Sequence, residues 1–253
     1  MSDNNSPIKV KPIHVAGQSL EYMVEDTIAD MASYLLIIAG ILIMVIIEWL
    51  RWIFPLKIPP ILISIIGAIA IGYCVYKIIK FRKQLMNYRL GIDGERLVAE
   101  KIDTLKSEGY IILHDIVANK FNIDHVIISK KGIFTIETKT LRKRGKEEIT
   151  FKNGNIFAGN RNLGKDSINQ SIAESAWLIN KIYEITGKKH KVKPILIFPN
   201  WYIQRMDNEM KKLIWILNQN SIISFLTNEK EKLDEKEIQL ITFGLISYIR
   251  VQK

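Results

Sequence analysis

The sequence predicts an α/β domain with a mixed central sheet flanked by helices, preceded by a hairpin of two membrane-spanning helices. Two long uncharged apolar runs near the start predict the hairpin. The domain follows from the order of patterns after them: helix, several short strands, a long amphipathic helix, a buried strand, then mostly helix.

A polar leader occupies residues 1–30 and turns acidic near its end, at Glu21, Glu25, Asp26 and Asp30. A cleaved signal peptide fits that length and charge poorly. The hairpin spans residues 31–76. Its first run, Met31 to Ile47, holds no charge over 17 residues, about 25 Å of helix at ~1.5 Å per residue. Trp49 and Trp52 are then expected at the interface. The second run, Ile58 to Tyr76, is 19 residues long and opens on prolines, which a first helical turn tolerates. Two buried core helices are the alternative, and the uncharged lengths argue against it.

Residues 77–90 read as a basic juxtamembrane linker. Lys77, Lys80, Arg82, Lys83 and Arg89 lie there, against only Arg51 and Lys57 between the two runs. By the positive-inside rule both termini are expected in the cytoplasm, with the chain a two-span protein of the cell (inner) membrane. From Lys77 onward the chain carries 32 Lys and Arg against 20 Asp and Glu, an excess that suits a polyanion: nucleic acid or an anionic membrane surface. The single cysteine, Cys74, falls in the second apolar run, so neither an intramolecular disulfide nor a cysteine metal cluster is available.

The soluble domain is expected over residues 91–200. Val98, Ile102 and Leu105 recur at helical spacing, so Asp93 to about Ser107 predicts an amphipathic helix opened by two glycines. YIILHDIV reads as a strand, with His114 and Asp115 near its end, and the stretch from Ile123 to Thr140 supplies two more. Asn153-Gly154 marks a turn between short strands. A long helix from about Asp166 to Thr186 is expected to bury Ile168, Ile172, Ala176, Ile179 and Tyr183, and VKPILIFP reads as a further buried strand. Residues 201–253 read as a mostly helical extension around the short run IISFL.

The two strands after Ile123 carry the chemistry. With Ser129 to Gly132 as a four-residue turn, Ile128 pairs with Ile133, and Asp124 falls opposite Glu137. Like charges there repel unless something lies between them. A divalent cation resolves the conflict, because Mg²⁺ takes one or two carboxylates and keeps waters and phosphate oxygens. Strand alternation puts Lys139 on the same face as Glu137 and turns His125 away from Asp124. Against this, Glu-x-Lys also occurs as a plain cross-strand ion pair. The basic run Arg142, Lys143, Arg144 and Lys146 follows directly, as a loop that holds a phosphate backbone or as a solvated surface.

The order G-x-x-G-E (Gly91 to Glu95), I-D-H-V (Ile123 to Val126), G-I-F-x-I-E-T-K (Gly132 to Lys139) and a helix bearing Gln170 resembles the nuclease-related domain, NERD, of the PD-(D/E)XK nuclease superfamily. The resemblance covers about Gly91 to Pro199. It implies a restriction-endonuclease-like fold and phosphodiester hydrolysis with Mg²⁺ or Mn²⁺. It makes Asp124 and Glu137 metal ligands, Lys139 the catalytic lysine, Glu95 an additional acid that binds metal, and Gln170 the polar residue of the later helix. Ile123 stands where the superfamily has proline, and Asp166-Ser167 where the family often shows Asn-Pro. Read from the residues alone, Glu95 is equally an acid favoured in a first helical turn and Gln170 a solvated helix residue.

The expected function is that of a membrane-anchored, metal-dependent nuclease acting on DNA or RNA. The alternative, from another class, is a noncatalytic nucleic-acid-binding or membrane-scaffold module that retains the fold.

Overall fold

A computed structural model describes residues 15–52, 60–118, 121–143, 145–152, 154–204 and 208–251. Most of the leader, the loop between the apolar runs with Lys57, Ile58 and Pro59, and the expected site residue Arg144 lie outside the described residues, as do Asn153 and Asp207. The chain divides into two compact units, residues 19–90 and residues 91–253 together with the segment up to residue 18.

The first unit is an antiparallel helical hairpin. Helix α1 (Gln18–Trp52) and helix α2 (Pro60–Asp103) are each long and apolar enough to cross a membrane. The apolar stretch of α1 is wholly unburied, which separates it from a core helix. Within the hairpin the Trp49 indole N–H donates to Ser64 Oγ at 3.0 Å, and the Tyr34 and Phe81 rings lie 5.7 Å apart. Gly67 lets the helices close up: a Cβ there would meet Ile41 and Val45 at 3.2 and 3.1 Å. Residues 77–90, expected as a linker, are helical throughout, because α2 has no break before Asp103. The helix expected to start near Asp93 is the last part of α2, and its Gly91 and Gly94 do not interrupt it. A short 3-10 turn (Thr104–Glu108) follows and ends at Gly109, whose φ of 85° a side chain would disfavour.

The second unit contains two mixed sheets where the sequence predicted one. The central sheet has the order β1, β2, β3, β7, β9. Strands β1 (Ile111–Val117), β2 (Asn122–Ser129) and β3 (Gly132–Thr138) are antiparallel; β7 (Val192–Ile197) and β9 (Trp215–Leu217) continue the sheet in parallel with β3. The smaller sheet has the order β6, β5, β4, β8, from β4 (Glu148–Lys152), β5 (Asn155–Ala158), β6 (Arg161–Gly164) and β8 (Tyr202–Ile203). Residues after Pro199 thus contribute a strand to each sheet. Three further helices follow there: α4 (Asn208–Leu213), α5 (Ile222–Thr227), which contains the run IISFL, and α6 (Glu235–Val251).

Helices cover both faces of the central sheet. On one face Val98, Ile102 and Leu105 of the α2 region pack with Ile127, Phe134, Ile136 and α5. On the other, Leu178 and Ile182 of α3 (Asp166–Thr186) and Ile241 and Leu245 of α6 pack on Val126, Ile128 and Ile133. Each fully buried Leu or Ile of these layers contributes about 1.5–3 kcal/mol. Alternation along β2 and β3 therefore decides which side chains meet α3.

The ends of α3 are as expected, but its buried face is rotated from the predicted one. Ala176 and Tyr183 are exposed, and the buried residues are Ile168, Ser171, Glu174, Ser175, Leu178 and Ile182. The helix turns polar side chains inward because charged strand residues lie beneath it.

Candidate active site

The β2–β3 hairpin closes on Lys130 and Lys131, with Ser129 paired to Gly132, Ile128 to Ile133 and His125 to Ile136. One step beyond the ladder, Asp124 stands opposite Glu137. The two do not face each other unaided: the Thr138 amide donates to Asp124 Oδ2 at 2.7 Å. Burial, then repulsion from Glu137 and Glu95, push the Asp124 carboxyl well above the usual carboxylate range, and the Thr138 bond only partly opposes this.

Glu137 is buried and Lys139 half-buried, on the face that meets α3. Lys139 Nζ lies 2.6 Å from Glu137 Oε1 and donates to Gln170 Oε1 at 3.0 Å. The Gln170 amide in turn donates to Glu137 Oε1 and to Glu174 Oε1, both at 2.9 Å. Burial works against the Lys139 ammonium, but Glu137 and the more distant Asp124 and Glu174 outweigh it, so the lysine titrates above its ordinary value. This group is a fixed cation and hydrogen-bond donor rather than a base.

Glu174 is the site residue that sequence reading missed. It is fully buried, and burial followed by repulsion from Glu137 raises its carboxyl to about 9. Ionised, Glu137 and Glu174 each keep a buried Oε2 without a hydrogen-bond partner. A proton on Glu174 or a bound cation relieves that cost. The available signal was its position four residues after Gln170, on the same side of a helix.

Glu95 comes from α2. It is buried, and burial, then Asp115 and Glu137, raise its carboxyl to about 7, against the pull of a bond from the Gly17 amide. The preceding glycine explains part of the G-x-x-G-E pattern: a Cβ on Gly94 would lie 1.7 Å from Thr140 Oγ1. Only glycine lets α2 approach the end of β3 closely enough to bring Glu95 beside Glu137.

Asp115 and His114 lie inside β1, not at its end. Asp115 is buried, breaks the ladder opposite Asp124, and takes φ of 48°, a costly conformation for a side-chain-bearing residue. Asn122 Nδ2 donates to its carboxylate at 3.2 Å. His125 points away from Asp124 as alternation requires. Its Nδ1 meets His114 Nδ1 at 3.0 Å, and His114 Nε2 meets Asp103 Oδ1 at 3.1 Å.

Arg142, Lys143 and Lys146 are exposed on the loop after β3. Lys143 lies over the Trp201 ring at 5.5 Å, with Arg161 of β6 at 6.0 Å from the same ring.

Glu95, Asp124 and Glu137 are electrostatically coupled, yet among the described residues no three His, Cys, Asp or Glu side chains converge as a ready metal cage. A hard cation that keeps several waters needs only one or two carboxylates. The orphaned Glu137 Oε2 and the raised Asp124 and Glu95 carboxyls fit such an ion.

Glu95, Asp124, Glu137, Lys139, Gln170 and Glu174 all fall in one stretch of the chain. Residues 90–199 match the family model of NERD, the nuclease-related domain. NERD belongs to the PD-(D/E)XK-like nuclease superfamily, whose members typically use divalent metals. No curated protein and no solved structure matches the chain. The NERD match takes in the central sheet as far as β7 and stops before β9 and the C-terminal helices.

Proposed function

We propose that this protein is a membrane-anchored nuclease that hydrolyses phosphodiester bonds in DNA or RNA with Mg²⁺ or Mn²⁺. The observation that carries the reading is Asp124 opposite Glu137, with Lys139 held between Glu137 and Gln170 and a buried Glu137 oxygen lacking a donor. Asp124 and Glu137, with Glu95, are the residues that hold the metal. The bound ion supplies Lewis acidity toward a phosphate oxygen and lowers the pKa of water.

The chain's own groups supply the rest. Lys139, fixed as a cation by Glu137 and Gln170, donates to the phosphate oxygen on which charge grows. Glu95 completes the carboxylate set, and the proton that an attacking water gives up is released to solvent. Gln170 fixes the rotamers of Lys139 and Glu137 through its two ends. Arg142, Lys143, Arg144 and Lys146 contact the phosphodiester backbone of the nucleic acid. The two apolar helices tether the enzyme with both termini in the cytoplasm, so its substrate is nucleic acid near the inner membrane.

A second reading, a noncatalytic nucleic-acid-binding module, rests on the exposed Arg142, Lys143 and Lys146, which can hold a phosphate backbone without a metal. The deciding experiment uses the full chain in detergent micelles with linear, circular and single-stranded DNA and with RNA, in Mg²⁺, Mn²⁺ or EDTA. A Glu137→Ala, Lys139→Ala double variant is run beside it. Metal-dependent cleavage lost in the variant supports the nuclease. Undiminished cleavage by the variant refutes this site, and salt-sensitive binding without cleavage by either protein supports the module.

A further inference from the structure

At the opposite end of the central sheet from the carboxylates lies a hollow of about 450 Å³. It opens where β3 and β7 begin, beside Gly132 and Val192. Gly132 and Glu137 are five residues apart on β3, roughly 16 Å at ~3.3 Å per residue, so the hollow is separate from the candidate active site.

Its lining has two chemistries. Its floor is apolar, formed by the buried Phe134, Val192, Pro194 and Trp215, with exposed Leu213 at the lip. Five lysines, Lys191, Lys193, Lys211, Lys212 and Lys232, surround it, with Glu229 the one acid among the lining residues. Glu229 pairs with Lys232 at 2.5 Å and balances its charge, so the positive charge of the rim rests on Lys191 and Lys211.

The arrangement is built, not a scatter of surface charge. Lys193 is half-buried; its Nζ donates to the carbonyls of Lys211 and Lys212 at 2.6 and 2.8 Å and lies 5.4 Å from the centre of the Trp215 ring. That bond pair fixes the end of α4 against β7 and so sets where Lys211 and Lys212 stand. The Lys232 amide donates to the Lys130 carbonyl at 2.7 Å, which docks the segment bearing Lys232 on the β2–β3 turn.

Lysines act on phosphate as point charges, and several around one concavity suit a group with several negative oxygens. The volume falls in the range of small-molecule sites, about 300–1,000 Å³, which favours a discrete ligand over a polymer laid across the surface. An apolar floor and lip beside a cationic rim match a ring system joined to a phosphate tail. We propose that this hollow binds a nucleoside di- or triphosphate, its base over the apolar lip at Leu213 and its phosphates at Lys191 and Lys211.

The test is calorimetric titration of the full chain in detergent micelles with ATP, tripolyphosphate, adenosine and phosphatidylglycerol vesicles. EDTA is present throughout, so that metal-bridged phosphates at the carboxylates contribute nothing. The expected result is saturable 1:1 ATP binding, at least tenfold tighter than either tripolyphosphate or adenosine. A Lys191→Glu, Lys211→Glu variant should weaken ATP at least tenfold; a Lys152→Glu, Lys165→Glu variant, with the same change in net charge outside the hollow, should not. If the first variant fails to fold, Lys191→Gln, Lys211→Gln replaces it, with a loss of at least threefold expected. Asp124→Asn should leave ATP binding unchanged, which separates this site from the proposed nuclease centre. Absence of saturable ATP binding, equal binding of tripolyphosphate, binding of vesicles alone, or equal weakening by both charge-swap variants would each overturn the proposal.

Discussion

Gly94→Ala places a methyl group between the two elements that carry the site. The new Cβ would stand 1.7 Å from Thr140 Oγ1, 2.9 Å from its Cβ and 3.0 Å from its Cγ2. Rotating Thr140 does not clear the contact, because its Cβ is itself too close. To reach an ordinary separation of 3.4 Å, α2 and the end of β3 must part by about 0.5 Å if Thr140 rotates and by up to about 1.7 Å if it does not. Alanine in a helix gains about 1 kcal/mol over glycine, so an open site would be stabilised. Overpacking instead costs about 1–3 kcal/mol, and the balance is a loss of up to about 2 kcal/mol. Function should suffer more, since Glu95 follows Gly94 and Lys139 precedes Thr140: a displacement of ~1 Å at a reacting centre costs about 10²-fold in rate. Thermal unfolding and metal-dependent cleavage by the full chain measure the two effects. Adding Thr140→Gly removes the opposing side chain and should recover most of the rate at a small cost in stability. A Gly94→Ala protein with unchanged melting and unchanged cleavage refutes the close approach. A double variant no better than the single one refutes Thr140 as the obstacle.

Three other outcomes follow from the buried charges. Glu95 titrates near 7 when folded and near 4.5 when not, so its ionisation weakens the metal-free fold. Stability is full below about pH 4.5 and falls until about pH 7; urea unfolding in EDTA at pH 8 should show Glu95→Gln more stable by about 3 kcal/mol, at about 1.4 kcal/mol per unit, with saturating Mn²⁺ reducing the difference. Glu174, held at about 9, is neutral at pH 7, so Glu174→Gln should stay within about 1 kcal/mol of the parent, whereas Glu174→Ala, which strands Gln170 and leaves a cavity, should lose about 2–3 kcal/mol in the same assay. Lys139→Ala should lower the cleavage rate about 10²–10³-fold with little change in KM, and an unchanged kcat would remove it from the mechanism.

Much of this architecture was legible in the sequence, and for identifiable reasons. The β2–β3 register follows from a two-residue turn between apolar runs, and the ends of α3 from a helical pattern closed by Gly187, whose φ is 69°. Strands β8 and β9 were not legible, since two or three residues carry no period and their place is set by β4 and β7 beside them. The inner face of α3 was misread because hydrophobicity cannot reveal that Glu137 and Lys139 would draw Gln170 and Glu174 inward. Glu174 was lost with that face. Gly91 and Gly94 look like helix breakers in isolation; the contact with Thr140 that makes the second one necessary comes from 46 residues further along the chain.

The contact between His114 and His125 also fixes where hydrogens reside. Burial holds both rings below the ordinary histidine range, His125 strongly so, and each therefore carries one N–H. An Asp103 carboxylate only accepts, so His114 bears its hydrogen on Nε2 and offers a lone pair at Nδ1. The partner nitrogen, His125 Nδ1, is then the donor. One tautomer of each ring satisfies the chain, and the resulting wire has a direction: from β2, through β1, to the end of α2. The imidazole next in sequence to Asp124 is thus wired into the opposite layer, and the backbone that positions that acid is held from behind.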